Sequence, residues 1–176
     1  MTKTYHLHRK QIIYRPLNEV FAFFSDAGNL QEITPPFLNF SFVTPLPIEM
    51  KAGAMIDYRL SLFKIPINWR TVIKSYVPLE SFIDTQVRGP YKLWHHTHTF
   101  REVTLDDGTT AVEVHDDVDY QIAIGPLGRF AHWLFVRRML DKIFDYRYQR
   151  IEELLPASSV GFNPHVKDVI ISPATS

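Results

Sequence analysis

Trp94, His96, His98 and Phe100 follow one another at a spacing of two in the run Gly89-Pro90-Tyr91-Lys92-Leu93-Trp94-His95-His96-Thr97-His98-Thr99-Phe100. On a strand that spacing throws all four side chains to one face. Two imidazoles then sit between two large aromatics, where a plain core strand carries aliphatic side chains and where each buried polar atom needs a partner. The pattern describes the wall of a pocket with a polar accent. The pair can ligate a metal with Asp84 or Asp116 as a third ligand, couple to one of those carboxylates for acid/base work, contact a bound molecule, or form a mutually satisfied structural pair. No longer metal signature accompanies it, such as two histidines one turn apart on a helix, so neither a metal nor a cofactor is expected. Arg147 is the second chemically informative residue. A guanidinium on the inward stripe of a helix must find a carboxylate or a ligand anion to offset its desolvation, or else snorkel to water. Asp84 and Asp116 are the inward carboxylates available to it. The chain contains no nucleophile elbow, phosphate loop or dinucleotide fingerprint.

The elements that position these residues are legible from periodicity and breakers. Tyr5 to Tyr14 reads as a first strand, ended by Pro16, which also suits the opening turn of a helix. Leu17, Val20, Phe21 and Phe24 recur at helical spacing, and Asp26-Ala27-Gly28-Asn29 ends that short helix. A second helical turn runs from about Leu30 to Ile33 and stops at Pro35-Pro36. From Leu38 to Tyr120 breaks at Pro45-Leu46-Pro47, Lys51-Ala52-Gly53, Pro66, Pro78, Gly89-Pro90 and Asp106-Asp107-Gly108 divide the chain into about six further strands. Asp107-Gly108 is the clearest hairpin signal, joining the Trp94 strand to Val112–Tyr120.

Parity selects the buried face strand by strand. Ile56, Tyr58, Leu60 and Leu62 oppose Asp57, Arg59 and Ser61; Ile67, Trp69, Thr71 and Ile73 oppose Asn68, Arg70 and Lys74; Val112, Val114, Asp116, Val118 and Tyr120 oppose Glu113, His115, Asp117 and Asp119. One face of an antiparallel sheet is therefore buried and the other wet. Phe82 to Val87 is ambiguous by parity. Gly125-Pro126 opens a long helix from roughly Leu127 to Leu155, with an inward stripe of Trp133, Val136, Leu140, Ile143, Arg147, Ile151 and Leu154.

A chain of 176 residues holds one domain with a full core. We assign it to residues 1–155, with 156–176 as a Ser/Pro/Ala-rich tail around an apolar Val166–Ile171 patch. The 14% aromatic share suits a lined cavity as well as a packed core. Nineteen basic residues balance nineteen acidic ones, which disfavours nucleic-acid binding, and the absence of cysteine excludes disulfides and thiolate chemistry. No stretch approaches the roughly eighteen apolar residues of a membrane helix, and Met1 to Arg9 lacks a signal-like apolar run. A cytoplasmic protein without stable membrane insertion is expected. Arg129, Arg137 and Arg138 around Trp133-Leu134-Phe135 read as the solvated face of the long helix, or as a membrane contact.

Strand, two short helices, about six antiparallel strands and one long helix form an α+β plan in which a curved sheet wraps the last helix and leaves a cavity. Here the chain resembles the SRPBCC or helix-grip superfamily, which includes START domains, birch-pollen-type allergens and polyketide cyclases, and within it the bacterial ligand-binding SRPBCC proteins. The resemblance spans Tyr5 to Leu155 and rests on Thr34-Pro35-Pro36, Gly53 with Ile56-Asp57-Tyr58, Trp69-Arg70, Phe82-Ile83-Asp84 with Gln86, Gly89-Pro90-Tyr91, Trp94 with His96 and His98, Asp116 with Val118 and Tyr120, Gly125-Pro126-Leu127-Gly128, and Ile143-Phe144 with Tyr146-Arg147. It implies a helix-grip fold of about seven strands and turns Phe82, Asp84 and Gln86 inward. With the parity of the other strands, the expected ligand-binding set is Tyr58, Trp69, Asp84, Gln86, Trp94, His96, His98, Asp116, Tyr120 and Arg147. The expected function is binding or carriage of a hydrophobic, lipid-like or polyketide-like small molecule; the alternative is cofactor-free cyclase or dehydratase chemistry run by His/Asp acid/base groups.

Overall fold

The computed structural model describes residues 3–62, 64–122 and 135–157. Strand β1 (Thr4–Ile13) leads into helix α1 (Leu17–Ser25), capped by Pro16, whose fixed φ suits helix entry. Instead of one helical turn over Leu30 to Ile33, two 3₁₀ turns follow, at Ala27–Leu30 and Pro36–Leu38. The Asp26 side chain accepts from the Gly28 N–H and nucleates the first of them, and Pro36 opens the second. Strands β2 (Ser41–Phe42), β3 (Met55–Leu62), β4 (Ile65–Val77), β5 (Ser81–Arg88), β6 (Leu93–Thr104) and β7 (Thr110–Gln121) complete a seven-stranded antiparallel sheet in the order β1-β7-β6-β5-β4-β3-β2. Pro66 does not break β4; it is the strand's second residue, paired with Ser61 near the β3–β4 turn.

Short turns set this topology. Gly108 supplies the positive φ of 81° on which the β6–β7 hairpin turns. Two register shifts in β4 against β5, between Arg70 and Thr71 and between Ile73 and Ser75, bend that strand, and the sheet curves over the helix. The second shift also moves the buried parity on by one, so that Tyr76 packs against the core cluster of Phe21, Phe82 and Phe100.

Helix α2 (Arg137–Leu154) lies against the inner face. Its buried seam runs Leu140, Phe144 and Ile151, with Arg147 and Ile143 half-buried along it. Steps of four, three, four and four bring Leu155, not Leu154, onto the core at the end, which leaves Leu154 exposed. Polar ties fix the helix: Arg9 Nη2 donates to Asp141 Oδ1 at 2.5 Å, Gln11 Nε2 to the Tyr148 carbonyl at 3.1 Å, and Arg150 Nε to the Glu32 carbonyl at 3.3 Å. The expected helix opening at Gly125-Pro126, the stripe residue Trp133, Arg129 and the Val166–Ile171 patch lie outside the described residues. No described helix is long and apolar enough to cross a membrane.

Candidate functional site

Between α2, the short helical segments and the inner face of β3–β6 lies a cavity of about 190 Å³. Its walls are mainly apolar: Phe24, Leu30 and Ile33 from the helical segments, Ile56 and Leu60 from β3, Trp69 and Ile73 from β4, and Leu140, Ile143 and Phe144 from α2. Aromatic rings build one end. Trp69 stacks on Tyr58 at 5.8 Å and meets Tyr91 and Trp94 edge-on at 5.7 and 5.5 Å.

The polar accent is a buried cluster of Asp84, His96, His98, Asp116 and Arg147. The alternation of β6 puts Trp94, His96, His98 and Phe100 on the inner face, all buried, as the spacing of two predicts. The antiparallel register then sets Asp84 opposite His96 on one side and Asp116 opposite His98 on the other. His96 Nε2–H donates to Asp116 Oδ1 at 2.9 Å, and His98 Nε2–H donates to Asp84 Oδ2 at 3.1 Å. Two further approaches close the ring: His96 Nδ1 lies 3.5 Å from Asp84 Oδ2, and His98 Nδ1 lies 2.8 Å from Asp116 Oδ1. The last is an ion-pair distance without the alignment of a hydrogen bond, so His98 Nδ1 remains unpartnered. The Thr71 hydroxyl lies between two acceptors, the Thr85 carbonyl at 3.0 Å and the carboxylate's other oxygen, Asp84 Oδ1, at 3.3 Å. The imidazoles lie 3.8 Å apart, with the Phe82 ring stacked on His98 at 4.1 Å. Arg147 is held over Phe24 and Phe144 and reaches to 3.7 Å from Asp116.

Burial is the largest influence on every titratable member of this cluster whose pKa moves, and pairing decides the outcome. Burial pushes both aspartates up, but Arg147 and the two histidines hold Asp116 well below its usual 3.8, and the bond from His98 with the charges of His96, His98 and Arg147 lowers Asp84. Burial, with the charge of His98, lowers His96. His98 is raised, because the two aspartates outweigh its burial. The cluster therefore favours ionised carboxylates, and of its two imidazoles it favours protonation of His98 over that of His96. Burial also raises the phenols of Tyr58 and Tyr91 above their usual 10.

Of the ten residues expected to contact a ligand, Tyr58, Trp69, Asp84, Trp94, His96, His98 and Arg147 line the cavity. The other three lie behind its wall. Asp116 is buried beneath the imidazoles it orients. Gln86 is turned away because its amide closes the β5–β6 turn, donating to the Tyr91 carbonyl at 2.6 Å and accepting from the Tyr91 N–H. Tyr120 stacks on Tyr5 at 5.5 Å on the far side of β7, where burial pushes its phenol up to about 12. Sequence reasoning missed the helical contribution of Phe24, Leu30 and Ile33. Their spacing marks a buried face, but not that the face ends on a void. Among the described residues, two N–H groups of cavity-lining residues, Trp69 Nε1 and Arg147 Nε, are buried with no hydrogen-bond acceptor.

No family model and no curated protein sequence matches the chain. Solved structures do. Protein TTHA0849 from Thermus thermophilus superposes with a TM-score of 0.61 at 16% identity, covering 88% of this chain and 99% of its own. Ginseng major latex-like protein 151 from Panax ginseng gives 0.59 at 14% identity, over 87% and 98% of the two chains. Ara h 8.0201 gives 0.56 at 9% identity, over 86% and 99%. At such identities the likeness speaks for architecture alone. With its seven curved antiparallel strands, three short helical segments after β1 and a long C-terminal helix, this chain has the helix-grip fold.

Proposed function

We propose that the protein binds and carries a compact hydrophobic molecule bearing a hydrogen-bond acceptor, as a member of the ligand-binding SRPBCC proteins. One observation carries this reading: an apolar cavity whose wall carries a polar patch, formed by Asp84, His96, His98 and Arg147. Arg147, which lines the cavity at that patch, is a donor that an acceptor on a bound molecule would meet. Tyr58, Trp69 and Trp94 supply apolar contact, while Asp84, His96, His98 and Arg147 form the polar end. Volume favours a ring-sized guest over a long acyl chain, since an apolar cavity of about 150 Å³ already accommodates benzene. The neighbouring ginseng protein, named for its likeness to major latex proteins, supports only the scaffold.

Native mass spectrometry of protein purified from its own host tests this directly. A retained small molecule of ring-bearing, acceptor-containing type is expected; a chain that arrives empty and fails to bind any compact apolar probe overturns the reading. The binding unit is residues 1–155, so a chain cut after Leu155 keeps the affinity of the full chain.

The hydrogen bonds joining His96 to Asp116 and His98 to Asp84 at the cavity wall favour one second reading, cofactor-free cyclase or dehydratase catalysis. Replacing either histidine by Gln separates the two. An enzyme loses turnover with affinity kept within a few-fold, whereas a carrier loses affinity by about 1–3 kcal/mol.

A further inference from the structure

The four-residue core of the polar cluster divides into two layers. Asp84, His96 and His98 line the cavity, whereas Asp116 does not. Each histidine turns one nitrogen to Asp116 Oδ1, His96 Nε2 at 2.9 Å and His98 Nδ1 at 2.8 Å, and the other to Asp84 Oδ2, His96 Nδ1 at 3.5 Å and His98 Nε2 at 3.1 Å. Asp84 in turn has Oδ1 beside the Thr71 hydroxyl, which leaves Oδ2 for the histidines. The three cavity-facing residues can offer donor atoms that all lie within 4.8 Å of one another.

A simple internal ion-pair network has no need for this layering. A metal site does. Ligating histidines direct the second ring nitrogen at a carboxylate, which fixes the tautomer and makes the first nitrogen a better ligand. Asp116 stands in that position for His96, and its Oδ1 lies 2.8 Å from His98 Nδ1, near enough for that nitrogen to become the donor once Nε2 gives up its proton in favour of a metal. Ligands about 2.1 Å from an ion are about 3.0 Å apart at octahedral angles and about 3.4 Å apart at tetrahedral ones, and the two separations from Asp84 Oδ2 are 3.1 and 3.5 Å. Arg147, 3.7 Å from Asp116, offsets the charge of the rear carboxylate without reaching the front one at ion-pair distance.

We propose that Asp84, His96 and His98 form a binding site for one divalent first-row transition-metal ion, Zn²⁺ or Fe²⁺ by ligand type, with Asp116 orienting both imidazoles from behind. The remaining coordination positions face the cavity, where an oxygen of a bound molecule would complete them. This departs from the expectation of no metal, which rested on the lack of a longer metal signature in the sequence. Of the two carboxylates the sequence offered as a third ligand, register places Asp84 on the cavity side of the imidazoles and Asp116 behind them.

The test uses the full chain, stripped with chelator and titrated with Co²⁺ and then Zn²⁺. Expected are one Co²⁺ per chain, visible absorption typical of nitrogen-ligated cobalt, and its displacement by Zn²⁺. Asp84→Asn should weaken Co²⁺ binding at least about a hundredfold, and Asp116→Asn, which spares the ligands, by about tenfold to hundredfold. Replacing His8 and His115 on the outer face by Gln should leave binding unchanged. Ring-nitrogen NMR of the unsubstituted chain needs no variant: Zn²⁺ should move the signals of His96 and His98. No stoichiometric binding, binding indifferent to Asp84→Asn in a folded variant, or ring shifts confined to outer histidines would each overturn the proposal. Binding of a compact apolar probe to the metal-free chain is scored separately, so failure of the metal site and failure of the carrier reading are told apart.

Discussion

Histidine–carboxylate pairs stand on both faces of this sheet, and alternate residues of β7 serve the two. On the inner face His96 and His98 meet Asp116 and Asp84; on the outer, His6 meets Asp119, His8 Nδ1 meets Asp117 Oδ1 at 2.7 Å, and His115 Nε2 meets Glu113 Oε1 at 2.7 Å. The distances are similar. The surroundings are not: the inner imidazoles are 4–5% exposed, that of His8 is 55% exposed. In water such a pair gains little, because solvent screens the attraction and competes for each partner. Inside, the attraction is larger, but so is the cost of leaving either partner alone. One residue of parity thus separates a cluster that can recognise a ligand from a set of surface pairs.

The comparison is most easily broken at Asp116. Asp116→Ala leaves two imidazoles and a guanidinium without their shared carboxylate, and denaturant unfolding should show a loss of about 3–5 kcal/mol. A loss below about 1 kcal/mol would mean that the inner pairs are energetically no different from the outer ones. Arg147→Met comes next. It removes the cation nearest Asp116 but keeps the apolar stem between Phe24 and Phe144, so a loss of about 1–3 kcal/mol is expected in the same assay.

Acid sharpens the contrast. Asp84 and Asp116 are both lowered from 3.8, so the stability they contribute is present above that value and is lost as pH falls through their lower folded values. Glu113, lowered from 4.5 by its bonds to Lys10 and His115, obeys the same sign with a smaller amplitude because its main partner, Lys10, is half-exposed. Urea midpoints followed downward from pH 5 should therefore fall less steeply in Asp116→Asn than in the unsubstituted chain, whereas Glu113→Gln should change the slope little. Smallest of all is His8→Ala, expected to cost no more than about 1 kcal/mol and less in high salt.

Much of the inner face was legible because parity is a local property. Trp94, His96 and His98 need only a strand to share a side, and Tyr58 and Trp69 follow from the alternation of their own segments. Gln86 and Tyr120 share the inward parity but do not reach the cavity, since parity fixes the face and not the position along it. Gln86 lies where the β5–β6 turn claims its amide, and Tyr120 lies over β1. Phe24, Leu30 and Ile33 were hidden for the opposite reason, because a buried helical stripe looks the same whether it packs on side chains or borders a cavity. Asp84 stood among the inward residues, but its two-sided relation to the imidazoles belongs to the register between strands, which no single segment encodes.

The strand order carries a kinetic consequence. β1 is the first element of the chain, yet its partner in the sheet is β7, and the pairs of that ladder lie from 99 to 117 residues apart, from Ile13↔Val112 to Thr4↔Gln121. α2 is tied to the same strand across 132 residues by Arg9 and Asp141. A nascent chain can fold its β3-to-β6 meander from neighbours alone, but β1 must wait for almost the whole domain to be synthesised before it finds a partner. The cavity is walled by the last helix, so it closes only at the end of this sequence of events, and the rate-limiting step should be the joining of distant segments, on a millisecond-to-second scale.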